Sequence, residues 1–242
     1  MKETRLAIID NSIHPEIYKP VEHWSAYLGR SEWTAFYSPK NQLPSLKGFT
    51  HVILTGSEAS ILDREPWVER EIEFVMDAGH EGLSLLGSCD GHQLLALALA
   101  GPTHVGRCRE PEIGWIPIDI KTDSSLLGLA RSAFTFSAHF DEVRDLGDPF
   151  VILASTDVCP IQAFGIRGRN VWGLQIHPEI DITAAGGLLE DFRGVFPKYR
   201  PFYEGALASE PSDSGLIFKI INTFLGISWN FCLTKSPFCR IL

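Results

Sequence analysis

The stretch Gly82-Leu83-Ser84-Leu85-Leu86-Gly87-Ser88-Cys89-Asp90-Gly91 constrains the fold more than any other part of this chain. Its first half is a compact apolar run of strand length, and the segment that follows, Gly91 to Ala100, is rich in the strong helix formers Leu and Ala. Only a tight turn fits between the two. The glycines at 87 and 91 accept a bend that residues with side chains resist. A buried strand turning sharply into a helix is the unit from which parallel sheets covered by helices on both faces are built.

The rest of the chain continues the alternation. Arg5 to Asp10, Trp33 to Tyr37 and His51 to Thr55 read as strands, the third entering Gly56-Ser57. Between the first two, Val21, Trp24, Tyr27 and Leu28 mark one face of a helix, with Pro20 in its first turn and Gly29 as its stop. Pro39 to Gly48 reads as a loop. Glu65 to Ala78 carries Trp67, Val68, Ile72, Val75 and Met76 at helical period. Strands are expected at Glu112 to Ile120, Ala133 to Ser137, Phe150 to Ala154, Ile161 to Phe164 and Val171 to Ile176, and a helix at Ile182 to Phe192. The expectation is an α/β domain with a three-layer open sheet, mostly parallel, extended by antiparallel pairing in its second half.

With 242 residues, 45% of them hydrophobic, the chain is long enough to bury a core without staples. Thirty acidic against 21 basic residues give a net charge of −9, which repels a phosphate backbone, so no nucleic-acid partner is expected. The five cysteines, Cys89, Cys108, Cys159, Cys232 and Cys239, are odd in number and lack CxxC spacing, which suggests neither a disulfide framework nor a zinc site. The N-terminus lacks an apolar signal core, so the reducing cytoplasm is the expected compartment. Gly215 to Leu233 approaches membrane-span length, but Lys219, Asn222, Thr223 and Asn230 interrupt it. Leu216, Ile220, Phe224, Ile227 and Phe231 recur at helical spacing, so the reading is a docked helix with no membrane span, an oligomer contact being the intermediate alternative. Thr234 to Leu242 carries no interpretable pattern. The expected organisation is a domain at 1–197 and an extension at 198–242.

Cys89 occupies the turn between buried strand and helix, the geometry of a nucleophile elbow. A sulfur there leaves the carboxyl edge of the sheet beside a helix N-terminus, which favours thiolate over thiol. The alternative is a small buried hydrophobe. In Gln175-Ile176-His177-Pro178-Glu179, residues i and i+2 of an extended segment share a face, so His177 and Glu179 point together as a base and the group that orients it. A solvated surface turn is the alternative there. The backbone N–H at Gly56, after another strand, paired with that of Asp90 after the cysteine, would receive an oxyanion.

Gly87-Ser88-Cys89-Asp90-Gly91-His92-Gln93 resembles the G-x-C-x-G-x-Q nucleophile motif of class I, triad-type glutamine amidotransferases, and His177-Pro178-Glu179 resembles their terminal H-P-E. Leu54 to Ser57, Glu112 to Trp115, Ala138 to Val143 and Ala154 to Phe164 support the resemblance, which looks most like the stand-alone domains akin to that of GMP synthase. It implies a flavodoxin-like fold and a glutaminase half-reaction: Cys89 attacks the side-chain amide of glutamine, His177 shuttles the proton to ammonia, Glu179 holds His177, and water clears a γ-glutamyl thioester. It also implies that Gln93 contacts the substrate, that Gly56 and Asp90 donate to the oxyanion, and that His139 supports the substrate region. Ser88 and Asp90 depart from the family pattern, and an inward carboxylate at 90 disfavours the thiolate. His92, Trp115 and Cys159 read as packing residues.

No GxxxxGK[ST] phosphate loop is present, and little chain follows Glu179, so the ammonia is expected to reach a separate synthase subunit. No metal or organic cofactor is expected. Two alternatives stand beside this reading: hydrolysis of γ-glutamyl peptides or amides, and a catalytically silent regulatory or binding subunit.

Overall fold

The computed structural model describes residues 4–226. The first half alternates as its apolar runs require: β1 (Arg5–Asp10), α1 (Pro20–Ser25), β2 (Glu32–Tyr37), β3 (His51–Leu54), α2 (Pro66–His80), β4 (Ser84–Ser88) and α3 (Asp90–Ala100). The second half holds β5 (Val105–Ile120), β6 (Arg131–Val143), β7 (Phe150–Ser155), β8 (Ala163–Ile166), β9 (Val171–Leu174), α4 (Ile182–Val195), α5 (Arg200–Ala208) and α6 (Leu216–Phe224). All nine strands form one sheet, ordered β2-β1-β3-β4-β9-β8-β7-β5-β6. The ladders from β2 through β9 are parallel, and those from β9 outward to β6 are antiparallel.

Period-two burial in β1 divides the core. Leu6 and Ile8 face Trp24 of α1 and Leu216, Ile220 and Phe224 of α6, while Ala7 and Ile9 face Val68 and Val75 of α2 and Leu94 of α3. Helices therefore cover both faces, and each fully buried aliphatic side chain contributes roughly 1.5–3 kcal/mol. A third apolar cluster joins α4 and α5 to β5 and β6 through Phe136, Leu188, Phe192 and Tyr203.

Four elements differ most from the sequence expectation. β5 begins at Val105 and not at Glu112, and β6 runs on to Val143, so the two form a long hairpin whose register shifts between Arg107 and Glu112. The charged run Arg107 to Glu110 and Pro111 break the apolar alternation there, and Arg107, Arg109 and Glu110 are exposed. The strand expected at Ile161 to Phe164 is displaced to Ala163–Ile166. The helix α5 carries a proline at its start and only two buried residues, Tyr203 and Ala206, too weak a stripe to read from sequence. The helix expected within 215–233 is observed as Leu216–Phe224, docked on the core; the parts of that reading beyond residue 226, and the tail Thr234 to Leu242, lie outside the described residues. No helix among the described residues is long and apolar enough to cross a membrane.

Candidate active site

Parallel strands deliver their carboxyl ends to one edge, so the residues that follow β3, β4 and β9 meet there. Cys89 holds φ 50° and ψ −105°, a conformation a non-glycine residue adopts only under constraint. Both flanking glycines are required by close approach. A Cβ on Gly87 would lie 2.3 Å from the Gly91 carbonyl oxygen, and one on Gly91 would lie 2.2 Å from that of Leu54. The Cys89 amide donates to the Leu174 carbonyl at 2.8 Å, locking the elbow to β9. The thiol is 5% exposed, sits at the N-terminus of α3 and points toward the Ala138 carbonyl at 3.7 Å.

His177 enters from the end of β9. Its amide donates to Phe136 at 2.9 Å, and its Nδ1 lies 2.8 Å from Glu179 Oε1. Burial pulls the imidazole toward neutrality, but the Glu179 carboxylate and the Cys89 sulfur, each also hydrogen-bonded to it, push it up to about 10. Cys89, His177 and Glu179 are thus brought together as a sulfur, an imidazolium and a buried acid. Ser88, a departure from the family pattern, donates to Glu179 Oε1 at 3.3 Å and supports that acid from beneath.

Asp90 turns inward, is 3% exposed and accepts from Asn11 Nδ2 at 3.2 Å. Burial, with Asp141 and Glu58 adding to it against the Asn11 hydrogen bond, pushes its carboxyl up to about 7. Much of its charge is therefore suppressed at neutral pH, which limits the penalty on a neighbouring thiolate. Gly56 packs directly on the reacting groups: a Cβ there would lie 2.8 Å from His177 Cε1, 2.8 Å from the Tyr18 hydroxyl and 3.5 Å from Cys89 Cβ.

Gln93 lines the same cleft, its amide nitrogen donating to the Asp141 carbonyl at 2.8 Å and to Gln175 Oε1 at 3.2 Å. His139 also borders the cleft, but both its ring nitrogens are engaged within the protein, Nδ1 at 3.0 Å from the Asp141 carbonyl and Nε2 at 3.1 Å from Glu112 Oε2. Glu112 in turn accepts from Thr156 at 2.7 Å and from Gln162. Glu112, His139 and Cys159 place their donor atoms within 4.8 Å of one another, the one such grouping among the described residues. Those hydrogen bonds already occupy Glu112 and His139, and burial pushes the Cys159 thiol up, so the trio as it stands is a packed polar hub.

The cleft measures about 280 Å³. Its lining includes the polar residues Ser57, Glu58, Arg107 and Asp141 and an aromatic-rich cluster in which Leu188, Phe192, Phe196, Tyr199 and Tyr203 pack together and Phe140 meets Tyr199.

Residues 8–193 match the family model described as "Glutamine amidotransferase class-I". The chain belongs to the class-I glutamine amidotransferase family. It is 36% identical over 137 residues to a glutamine-hydrolyzing GMP synthase of Caldicellulosiruptor saccharolyticus, covering 56% of this chain and 25% of that protein. It is likewise 36% identical over 121 residues to a subunit of the glutamine-hydrolyzing GMP synthase of Methanosarcina barkeri, covering 48% of this chain and 62% of that one. The chain thus spans less than two thirds of the length of either relative. In fold it resembles a glutamine amidotransferase from Thermotoga maritima, with a TM-score of 0.72 at 18% identity, over 93% of this chain and 97% of the other.

Within this amidotransferase, several residues at the site escape sequence reasoning. Tyr18 sits in the segment after β1 and belongs to no motif. Phe196, Tyr199 and Tyr203 lie past residue 193, beyond the matched region. The signal that could have pointed to them is the run of aromatics spaced three or four apart from Phe192 to Tyr203.

Proposed function

We propose that this amidotransferase hydrolyses the side-chain amide of glutamine through a γ-glutamyl thioester on Cys89. The observation that carries the reading is the convergence of Cys89, on its strained elbow, with His177 and Glu179. The Sγ–carbon bond forms at the amide carbonyl, the carbon–nitrogen bond breaks, and the thiol's proton travels through His177 to the departing ammonia. Water, deprotonated by the same imidazole, then cleaves the thioester to glutamate. The Gly56 and Asp90 amides are the oxyanion donors in this scheme, and Gln93 and His139 shape the substrate wall. Glu58, Arg107 and Asp141 suit the α-ammonium and α-carboxylate of the substrate. The chemistry draws on no metal or cofactor.

The ammonia passes to a separate synthase subunit; the similarity to a protein named as one subunit of a GMP synthase supports this. We read 1–197 as the amidotransferase domain and 198–242 as an extension. The reaction is placed in the reducing cytoplasm, in keeping with the three free cysteines Cys89, Cys108 and Cys159 among the described residues. The test is ammonia release from glutamine by the wild-type chain and by Cys89→Ala, with intact-mass detection of a γ-glutamyl adduct. Equal release by both, or no adduct on Cys89, removes the reading.

The aromatic-rich cluster lining the cleft favours a second substrate, a γ-glutamyl amide whose nitrogen carries an apolar group. Comparing kcat/KM for glutamine with that for γ-glutamyl benzylamide decides between them.

A further inference from the structure

We propose that the Tyr18 hydroxyl is a catalytic hydrogen-bond donor which, beside the Gly56 amide, receives the oxyanion formed when Cys89 attacks the substrate carbonyl. This rests on the thioester reading above and adds a side-chain donor to its backbone pair. Tyr18 is 3% exposed, and its hydroxyl has no hydrogen-bond partner among the described residues. A buried hydroxyl left unpaired costs stability, so a fold that retains one at the rim of a cleft keeps it for an incoming acceptor.

Its aim is fixed by packing. The ring stands edge-on to His177, with centroids 6.1 Å apart at 86°, stacks against His23 at 6.1 Å and 27°, and packs in the cluster holding Phe136, Ile180 and Leu188. The hydroxyl lies over Gly56, since the Cβ that Gly56 lacks would fall 2.8 Å from it, 2.8 Å from His177 Cε1 and 3.5 Å from Cys89 Cβ. A carbonyl carbon bonded to the sulfur would place its oxygen in that neighbourhood.

The phenol acts by donation alone. Burial, reinforced by Glu179 and Cys89, raises its pKa well above the ordinary value, so it stays protonated through the working range. No proton leaves it: the oxyanion accepts its O–H bond, then collapses as the carbon–nitrogen bond breaks and His177 protonates the nitrogen. Sequence offers no hint of this, because Tyr18 reaches the site from a loop some 70 positions before Cys89.

The experiment compares wild-type chain with Tyr18→Phe, which keeps the ring contacts and removes the oxygen. Expected are a fall in kcat of about 10²-fold with KM changed less than twofold, the same loss at every pH from 6 to 9, and a Tm equal to or above the wild type. Unchanged kcat overturns the proposal, and so does a kcat that falls only in step with a falling Tm. If wild-type protein neither releases ammonia or amine from γ-glutamyl amides nor forms an adduct on Cys89, the thioester reading falls first and takes this role with it. An active wild type with an equally active Tyr18→Phe overturns the hydroxyl's role alone.

Discussion

His177 and His139 each rest against a glutamate, at 2.8 Å from Glu179 and 3.1 Å from Glu112, and both rings are almost sealed from solvent. They differ at the second nitrogen. In His139 it meets the Asp141 carbonyl, and Glu112 is further held by Thr156 and Gln162, so both ring nitrogens of His139 and both carboxylate oxygens of Glu112 are occupied from within. In His177 the rest of the ring is left to the Cys89 sulfur, across the elbow. A histidine–carboxylate pair becomes chemistry when its free nitrogen faces a nucleophile, and scaffolding when that nitrogen is spent on the backbone.

The largest effect expected follows directly. His177→Asn removes the proton carrier and should cut kcat/KM on the order of 10⁴-fold while leaving Tm nearly unchanged. His139→Asn should do the reverse, lowering Tm with a far smaller loss in activity of the folded fraction. Steady-state kinetics beside thermal melts reads both, and equal losses of activity in the two variants would erase the distinction.

A buried acid with no imidazole beside it sharpens the contrast. Asp90 has an amide, Asn11, in place of a cation, and burial raises it from an ordinary value near 3.8 to about 7. A carboxyl raised on folding contributes its stability below pH 3.8 and loses it as pH climbs through 7. At 1.36 kcal/mol per unit, that loss amounts to about 4 kcal/mol. Asp90→Asn abolishes it, so the variant's stability relative to wild type should rise between pH 4 and 7 and level off above. Denaturant midpoints across that range give the curve; a relative stability that falls with pH would contradict the assignment.

Next in size is Glu112→Ala, which strands His139, Thr156 and Gln162 together and should cost about 3 kcal/mol in unfolding free energy. Urea titration measures it. A loss below about 1 kcal/mol would mean the hub is no scaffold.

The two pairs were unequally legible. His177 and Glu179 could be read together because an extended segment puts i and i+2 on one face, and Cys89 because glycines bracket it after an apolar run. Uninterrupted apolar segments likewise announce the five-strand parallel half. Glu112, Thr156 and Gln162 could not be joined to His139 in advance, since Glu112 lies on β5, His139 on β6 and the other two in the loop between β7 and β8, and only the fold brings them within reach. The early part of β5 was hidden by its exposed charges, and α5 by having only two buried residues. Tyr18 carries no spacing signal at all. What sequence shows is local geometry, whereas a partner supplied from another element enters with the fold.

Ser88 gives the smallest effect and the finest probe of the working pair. Glu179 Oε1 accepts from both His177 and Ser88, and its other oxygen has no partner among the described residues. Ser88→Ala leaves the imidazole contact intact and removes only the support behind it. One long hydrogen bond to a charged acceptor is worth about 1–2 kcal/mol, so kcat should fall about 5- to 30-fold with KM unchanged, provided the serine steadies the acid during proton transfer. Were the hydroxyl merely filling space, alanine would lower Tm slightly and leave kcat where it was. Presteady-state kinetics separates thioester formation from its hydrolysis, and because His177 moves a proton in each step, the loss should appear in both.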